Sequence, residues 1–153
     1  MIDDGTSAPY DPALPRGRIM ALDVGSVRIG VALSDPTGTF AQPMETLLRY
    51  KQPEARIADL LARHEVATLV VGQPLTLKGE EGPAVKAIAA FVAGLQKTVS
   101  VPIVMWDERL STAHAQRDMI SLGARRATRR QHIDKVAAAL ILQSYLDSLA
   151  TLP

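Results

Sequence analysis

Apolar positions along the chain fall into two rhythms. From Arg18 to Val24, "RIMALDV", almost every position is apolar, and a second such run, "RIGVALS", covers 28–34. Short runs rich in Ile, Val, Leu and Met, separated by "GSV", predict two strands joined by a hairpin. "TGTFAQPMETL", 37–47, predicts a third strand, and Pro43 places it at a sheet edge, because proline cannot donate to a central ladder. The period then changes. "PEARIADLLARHE" puts Ile57, Leu60, Leu61 and His64 on one helical face, with Pro53 in the first turn. "ATLVVG", 67–72, predicts a buried strand, and 73–83 a polar loop. Residues 84–97 predict a helix with Val85, Ile88, Ala89, Val92 and Leu95 inward, and "VPIVMW", 101–106, a fifth strand. A helix from Ser111 to Gly123, a basic connection "RRATRRQH", and a last apolar helix over 133–150 complete the chain. Three strands in a meander, followed by strands alternating with helices, predict an α/β fold with a mixed five-stranded sheet flanked by helices.

Residues 1–17, "MIDDGTSAPYDPALPRG", hold three prolines and no periodic pattern. They read as a flexible arm ahead of one domain over 18–150. Hydrophobic residues make up 47% of 153, enough to fill a core, and the formal net charge is +1, so total charge points to no polyanionic partner. There are no cysteines and only 3 histidines, which excludes a disulfide framework, a thiolate zinc site and an HExxH pair. A signal peptide and a membrane-spanning run are both missing from the pattern, so a cytoplasmic protein is expected.

Candidate chemistry lies at the ends of the predicted elements. Asp23 ends the first strand, Asp107 and Glu108 follow the fifth, and Asp134 opens the last helix. With strands one and five side by side, these carboxylates emerge at one edge of the sheet. Carboxylates gathered there need a cation, and hard divalent Mg²⁺ or Mn²⁺ takes oxygen ligands. Such ions serve phosphodiester displacement. Asp23 is then expected to be displayed rather than buried. Each residue also has a plainer use: Asp23 in a turn, Asp107 or Glu108 paired with Arg109 or capping a helix, Asp134 near a helix dipole.

"GSVRIG" spaces two glycines as a P-loop does, but Val31 and Ala32 stand where Lys and Ser or Thr are required, so that motif is rejected. Gly25 is expected to supply a positive φ after Asp23, and Gly30 to permit close packing within its strand. Lys78, in the loop after the fourth strand, is a candidate phosphate contact or a solvated side chain. Arg125, Arg126, Arg129 and Arg130 fall within "RRATRR", with Arg117 and Lys135 near in sequence. This cluster beside Asp134 suits a phosphate-backbone track as well as it suits a solvated face. Aromatics are few and Trp106 reads as core, so base-specific readout is not expected.

"ALDVGSVRIGVALSD", "LVVGQPLTLKGEEGP", "WDERLSTAHA" and "IDKVAAALILQSYLD" together resemble the YqgF family, also called RuvX, from about Arg18 to Asp147. Its members are described as pre-16S ribosomal RNA nucleases or Holliday-junction resolvases. The resemblance implies an RNase H-like fold with strand order 3-2-1-4-5, which puts strand four, not five, beside strand one. It implies an acidic site of Asp23, Asp107 or Glu108, and Asp134, with Glu108 favoured over Asp107 for its longer arm. Arg109 is then a phosphate-positioning residue, and Mg²⁺ or Mn²⁺ the cofactor. "GQP" replaces the family's usual Gly-Leu-Pro. The implied activity is metal-dependent endonucleolytic cleavage, with RNA favoured over DNA, a pre-ribosomal particle as the setting, and a monomer or homodimer as the active form. A junction resolvase and a non-catalytic nucleic-acid-binding module stay open beside it. An actin-like ATPase or sugar kinase, which needs two such domains, does not fit the length.

Overall fold

The computed structural model describes residues 17–75, 78–80, 82–112 and 127–150, with the backbone alone for 127–132. Strand β1 is Arg18–Val24, β2 Arg28–Ser34, β3 Ala41–Leu48, β4 Val66–Gln73 and β5 Ile103–Asp107. Helix α1 is Pro53–Arg63, α2 Pro83–Gln96 and α3 Ala127–Ala150, and a 3₁₀ turn, Glu108–Leu110, follows β5. The five strands form one sheet in the order β3-β2-β1-β4-β5. β1 is antiparallel to β2, β2 to β3, and the pairs β1–β4 and β4–β5 are parallel. β1 and β5 are therefore separated by β4, and their simple adjacency is corrected. Pro43 does lie on an edge strand.

Alternation along β1 sends its side chains to two cores. Met20, Leu22 and Val24 face α1 and α2, where they meet Ile57, Leu60 and Leu61 and also Ile88, Phe91, Val92 and Leu95. Ile19 and Ala21 face α3 with Ala32, Val70 and Trp106, under Ala137, Ala138, Ile141, Leu142 and Tyr145. In α2, Phe91 points inward and Ala89 outward, because the stripe follows the larger apolar surface. His64 caps the C-terminus of α1 and is only half-buried. Trp106 anchors α3 to the sheet. Its ring meets Tyr145 edge-on at 5.3 Å, and its indole N–H donates to Ser144 Oγ at 3.2 Å.

Two boundaries differ from the sequence reading for physical reasons. β3 starts at Ala41, not at 37, because the Asp35 carboxylate captures the amides of Thr39 and Phe40, each at 2.8 Å, and so takes them out of any ladder. α3 starts at Ala127, not at 133, so the basic connection is helical from its third residue. Arginine and glutamine are good helix formers, and a helix runs through a charged turn as readily as an apolar one. The expected helix from Ser111 lies outside the described residues beyond Thr112, as do the N-terminal arm up to 16, Arg117, Arg125 and Arg126. No helix among the described residues is long and apolar enough to cross a membrane.

Candidate active site

The carboxyl ends of parallel strands are where sheets of this class place ligands. At that end one row crosses the sheet. Asp23 pairs with Gly30 on β2. Leu22 pairs with Val71, so one residue further Asp23 stands level with Gly72 on β4, which pairs with Trp106 on β5. The row is thus Gly30, Asp23, Gly72, Trp106, all on the α3 face. Asp23 sits between two glycines, and each glycine admits another acidic residue.

On one side, an ideal Cβ at Gly30 would stand 2.0 Å from the carbonyl oxygen of Asp134, so the α3 backbone is seated directly on β2. This close packing was the expected role of Gly30. On the other side, a Cβ at Gly72 would meet Glu108 Cγ at 3.4 Å and Cδ at 3.7 Å. Glu108 therefore leans from the end of β5 across β4 toward β1, into space that only a missing side chain leaves open. Asp23 is 9% exposed and Glu108 6%, so Asp23 is buried at the row's centre, not displayed as its strand-end position suggested. β1 is a central strand, and α3 covers its final turn.

Asp134 is the eighth residue of α3, not its opening residue. Its position near Asp23 follows from the helix seat on Gly30 and owes nothing to a helix terminus. Its carboxylate accepts a hydrogen bond from Arg28 Nε at 2.7 Å. Among the described residues no three acidic or histidine side chains stand close enough together to share an ion.

Asp107 is committed elsewhere. It caps the 3₁₀ turn by accepting the Arg109 amide at 2.9 Å and holds the Arg109 guanidinium through Nε at 3.0 Å and Nη2 at 2.6 Å. Burial pushes the Asp107 carboxyl up, but the side-chain and backbone bonds from Arg109 outweigh it and hold the group below its ordinary value. The same pair holds the Arg109 guanidinium above its own. Of Asp107 at the end of β5 and Glu108 just after it, Glu108 is the one that reaches the row. Arg109 lies against Gly79, whose Cβ would meet Nη1 at 3.4 Å, beside exposed Lys78. Arg129 and Arg130 are in the first turn of α3.

Two expectations about glycines change. Gly25 does not have a positive φ. Its amide donates to the Arg28 carbonyl at 2.8 Å, and a Cβ there would stand 2.8 Å from that same oxygen, so close approach excludes a side chain. For Gly72 the sequence predicts only the last residue of a buried strand. A glycine inside a strand is itself a sign of close approach. Arg28 was also missed; alternation along β2 places it on the face of Gly30, two residues away.

The donor set is entirely oxygen, from two buried carboxylates flanking one glycine and a third held nearby on an arginine. That chemistry fits a hard divalent cation.

Sheet order, strand directions and flanking helices define an RNase H-like fold. At 15% identity the chain is similar to Thermus thermophilus RuvC, solved in complex with a Holliday junction substrate, with a TM-score of 0.55 over 88% of this chain and 97% of that one. It is similar to the Fowlpox virus resolvase, solved with Holliday junction DNA, at 16% identity and a TM-score of 0.51 over 86% and 98%. The family described as "RuvX: Holliday junction resolvase" matches residues 17–148, and the chain belongs to that family. A relative from Roseiflexus sp. (strain RS-1), named as a pre-16S rRNA nuclease, is 48% identical over 134 residues, covering 86% of this chain and 95% of the relative. One from Methylocella silvestris with the same name is 43% identical over 137 residues, covering 88% and 85%.

Proposed function

We propose that the protein is a metal-dependent endonuclease that processes the 5′ end of pre-16S rRNA in the cytoplasm, with Asp23, Glu108 and Asp134 as the ligands of Mg²⁺ or Mn²⁺. Family membership makes it a hydrolase of phosphodiester bonds. The observation that carries the site assignment is the row Gly30–Asp23–Gly72, whose two glycines bring α3 and Glu108 onto either side of Asp23. RNA is favoured as substrate because relatives 48% and 43% identical over 86% and 88% of this chain carry the pre-16S name.

Asp23 is the fixed centre, held by a strand buried on both faces. Glu108 is carried on a short 3₁₀ turn. Asp134 is positioned by the helix seat, with one oxygen kept on Arg28 and the other left for the ion. When bound, the ion supplies positive charge to the phosphate oxygens and acidifies water. Arg109, clamped by Asp107, and exposed Lys78 bind phosphates at the β4 and β5 ends. Arg125, Arg126, Arg129 and Arg130 extend the basic track ahead of Asp134, contacting backbone and not bases.

The test is cleavage of an RNA spanning the 5′ leader and 16S boundary, with Mn²⁺ and with chelator. Asp23→Asn is expected to lower the rate by more than about a hundredfold, since it removes the negative charge of a ligand. Full activity of that variant would refute the site. The family description favours a second reading, junction resolution. Paired symmetric nicks in a four-way DNA junction, made by a two-fold dimer, would support it.

A further inference from the structure

We propose that Arg28 is a phosphate-binding residue of the active site, anchored by Asp134 and presenting the rest of its guanidinium to the substrate backbone. This rests on the nuclease reading above. Arg28 opens β2, and its carbonyl closes the turn by accepting the Gly25 amide. Because Asp23 pairs with Gly30, Arg28 is the diagonal neighbour of Asp23 on the same face. Diagonal positions of an antiparallel pair lie about 7–8 Å apart, within reach of a long side chain.

The contact with Asp134 uses little of the arginine. Nε alone donates, at 2.7 Å, to Oδ2 alone. Among the described residues the two Nη groups make no hydrogen bond, and the second oxygen of Asp134 accepts none. A guanidinium has five N–H donors, so four remain. The Arg28 side chain is 25% exposed and that of Asp134 18%, so the pair lies at the border of the site and solvent. The pair is part-buried, so its one hydrogen bond also has a structural use, and the spare donors are what point to a ligand. A planar fork with spare donors, fixed at one nitrogen, matches a phosphate diester's two free oxygens. It also addresses a physical difficulty of the site. Asp23, Glu108 and Asp134 repel a polyanion, and Arg28 places a cation among them before any ion arrives.

The experiment is a binding titration in chelator, so nothing is cleaved. The probes are the leader-boundary RNA and a four-way DNA junction, each labelled, titrated across a range of salt concentrations. Arg28→Gln is expected to weaken binding about tenfold and to reduce the slope of log K against log salt by about one. The same substitution is made in an Asp134→Asn background. If Arg28 contacts phosphate, it costs affinity there too. If Arg28→Gln costs nothing once Asp134 is neutral, Arg28 serves only as that carboxylate's counter-charge and the inference is overturned. Arg28→Lys, which keeps the charge, is expected to keep the salt slope near wild type. Wild-type protein that binds neither probe overturns this inference, and if it also cleaves neither with Mn²⁺ the nuclease reading falls with it. Wild-type binding with an unchanged Arg28→Gln slope on the probe it prefers overturns this inference alone.

Discussion

Gly30→Ala puts a methyl group where the α3 backbone already stands. The new Cβ would lie 2.0 Å from the Asp134 carbonyl oxygen, 2.4 Å from its carbon and 2.9 Å from the Lys135 nitrogen. A carbon approaches a carbonyl oxygen no closer than about 3.3 Å, so the helix must retreat by about 1 Å or more. All three atoms are backbone, so no rotamer change relieves the clash. Overpacking of this kind costs about 1–3 kcal/mol. The retreat also opens a gap beneath Ala137, Ala138, Ile141 and Leu142, and a gap of about 1 Å forfeits roughly a quarter to a half of each contact. Against this, alanine restricts the unfolded chain and returns about 0.4–1 kcal/mol. The net expectation is a loss of about 3 kcal/mol, or about 6–12 °C in Tm for a domain of this size. Urea unfolding measures it as a lower midpoint at constant m. Gly94→Ala is the control. Nothing lies within 4 Å of a Cβ at that exposed position of α2, so it is expected to gain about 0.5–1 kcal/mol. A Gly30→Ala midpoint equal to wild type would refute the close seating of α3, and with it the placement of Asp134 beside Asp23.

Other substitutions separate site from scaffold. Gly72→Ala meets the Ile141 Cδ1 methyl at 2.9 Å, a side-chain end that can turn, and the seat of Glu108 at 3.4 Å. It is expected to change stability by less than about 1.5 kcal/mol while lowering both Mn²⁺ affinity by calorimetry and cleavage rate. The amides of Phe40 and Thr39, with the amide and hydroxyl of Thr37, hold the Asp35 carboxyl well below the usual carboxylate range. Its folded pKa is lowered, so the stabilisation is full above the unfolded value and is lost as pH falls through the folded one. The stability gap between wild type and Asp35→Ala is therefore expected to be constant near neutrality and to shrink below about pH 4, read by urea midpoints across pH.

What the sequence by itself determined is local. β1 and β2 run where the apolar runs run, because continuous burial needs continuous apolarity, and α1 and β4 follow within a residue or two. Three of the acidic candidates, Asp23, Glu108 and Asp134, were legible as charges at element ends. Their distinct surroundings were not. That Asp107 is occupied by Arg109 while Glu108 crosses β4 depends on which way each side chain leaves the end of β5. That the backbone at Asp134 lies over Gly30, beside Asp23 in the row, depends on how α3 packs on the sheet, whereas polarity alone marks the helix as starting at 133. Polarity reports burial, not backbone conformation, so the charged first turn of α3 was invisible to it. Register did the rest. Asp23 meets Gly30 across a local hairpin, but it meets Gly72 because β1 and β4 align to the residue, and alignment between strands separated by β2, β3 and α1 is a property of the packed sheet, not of any stretch of chain.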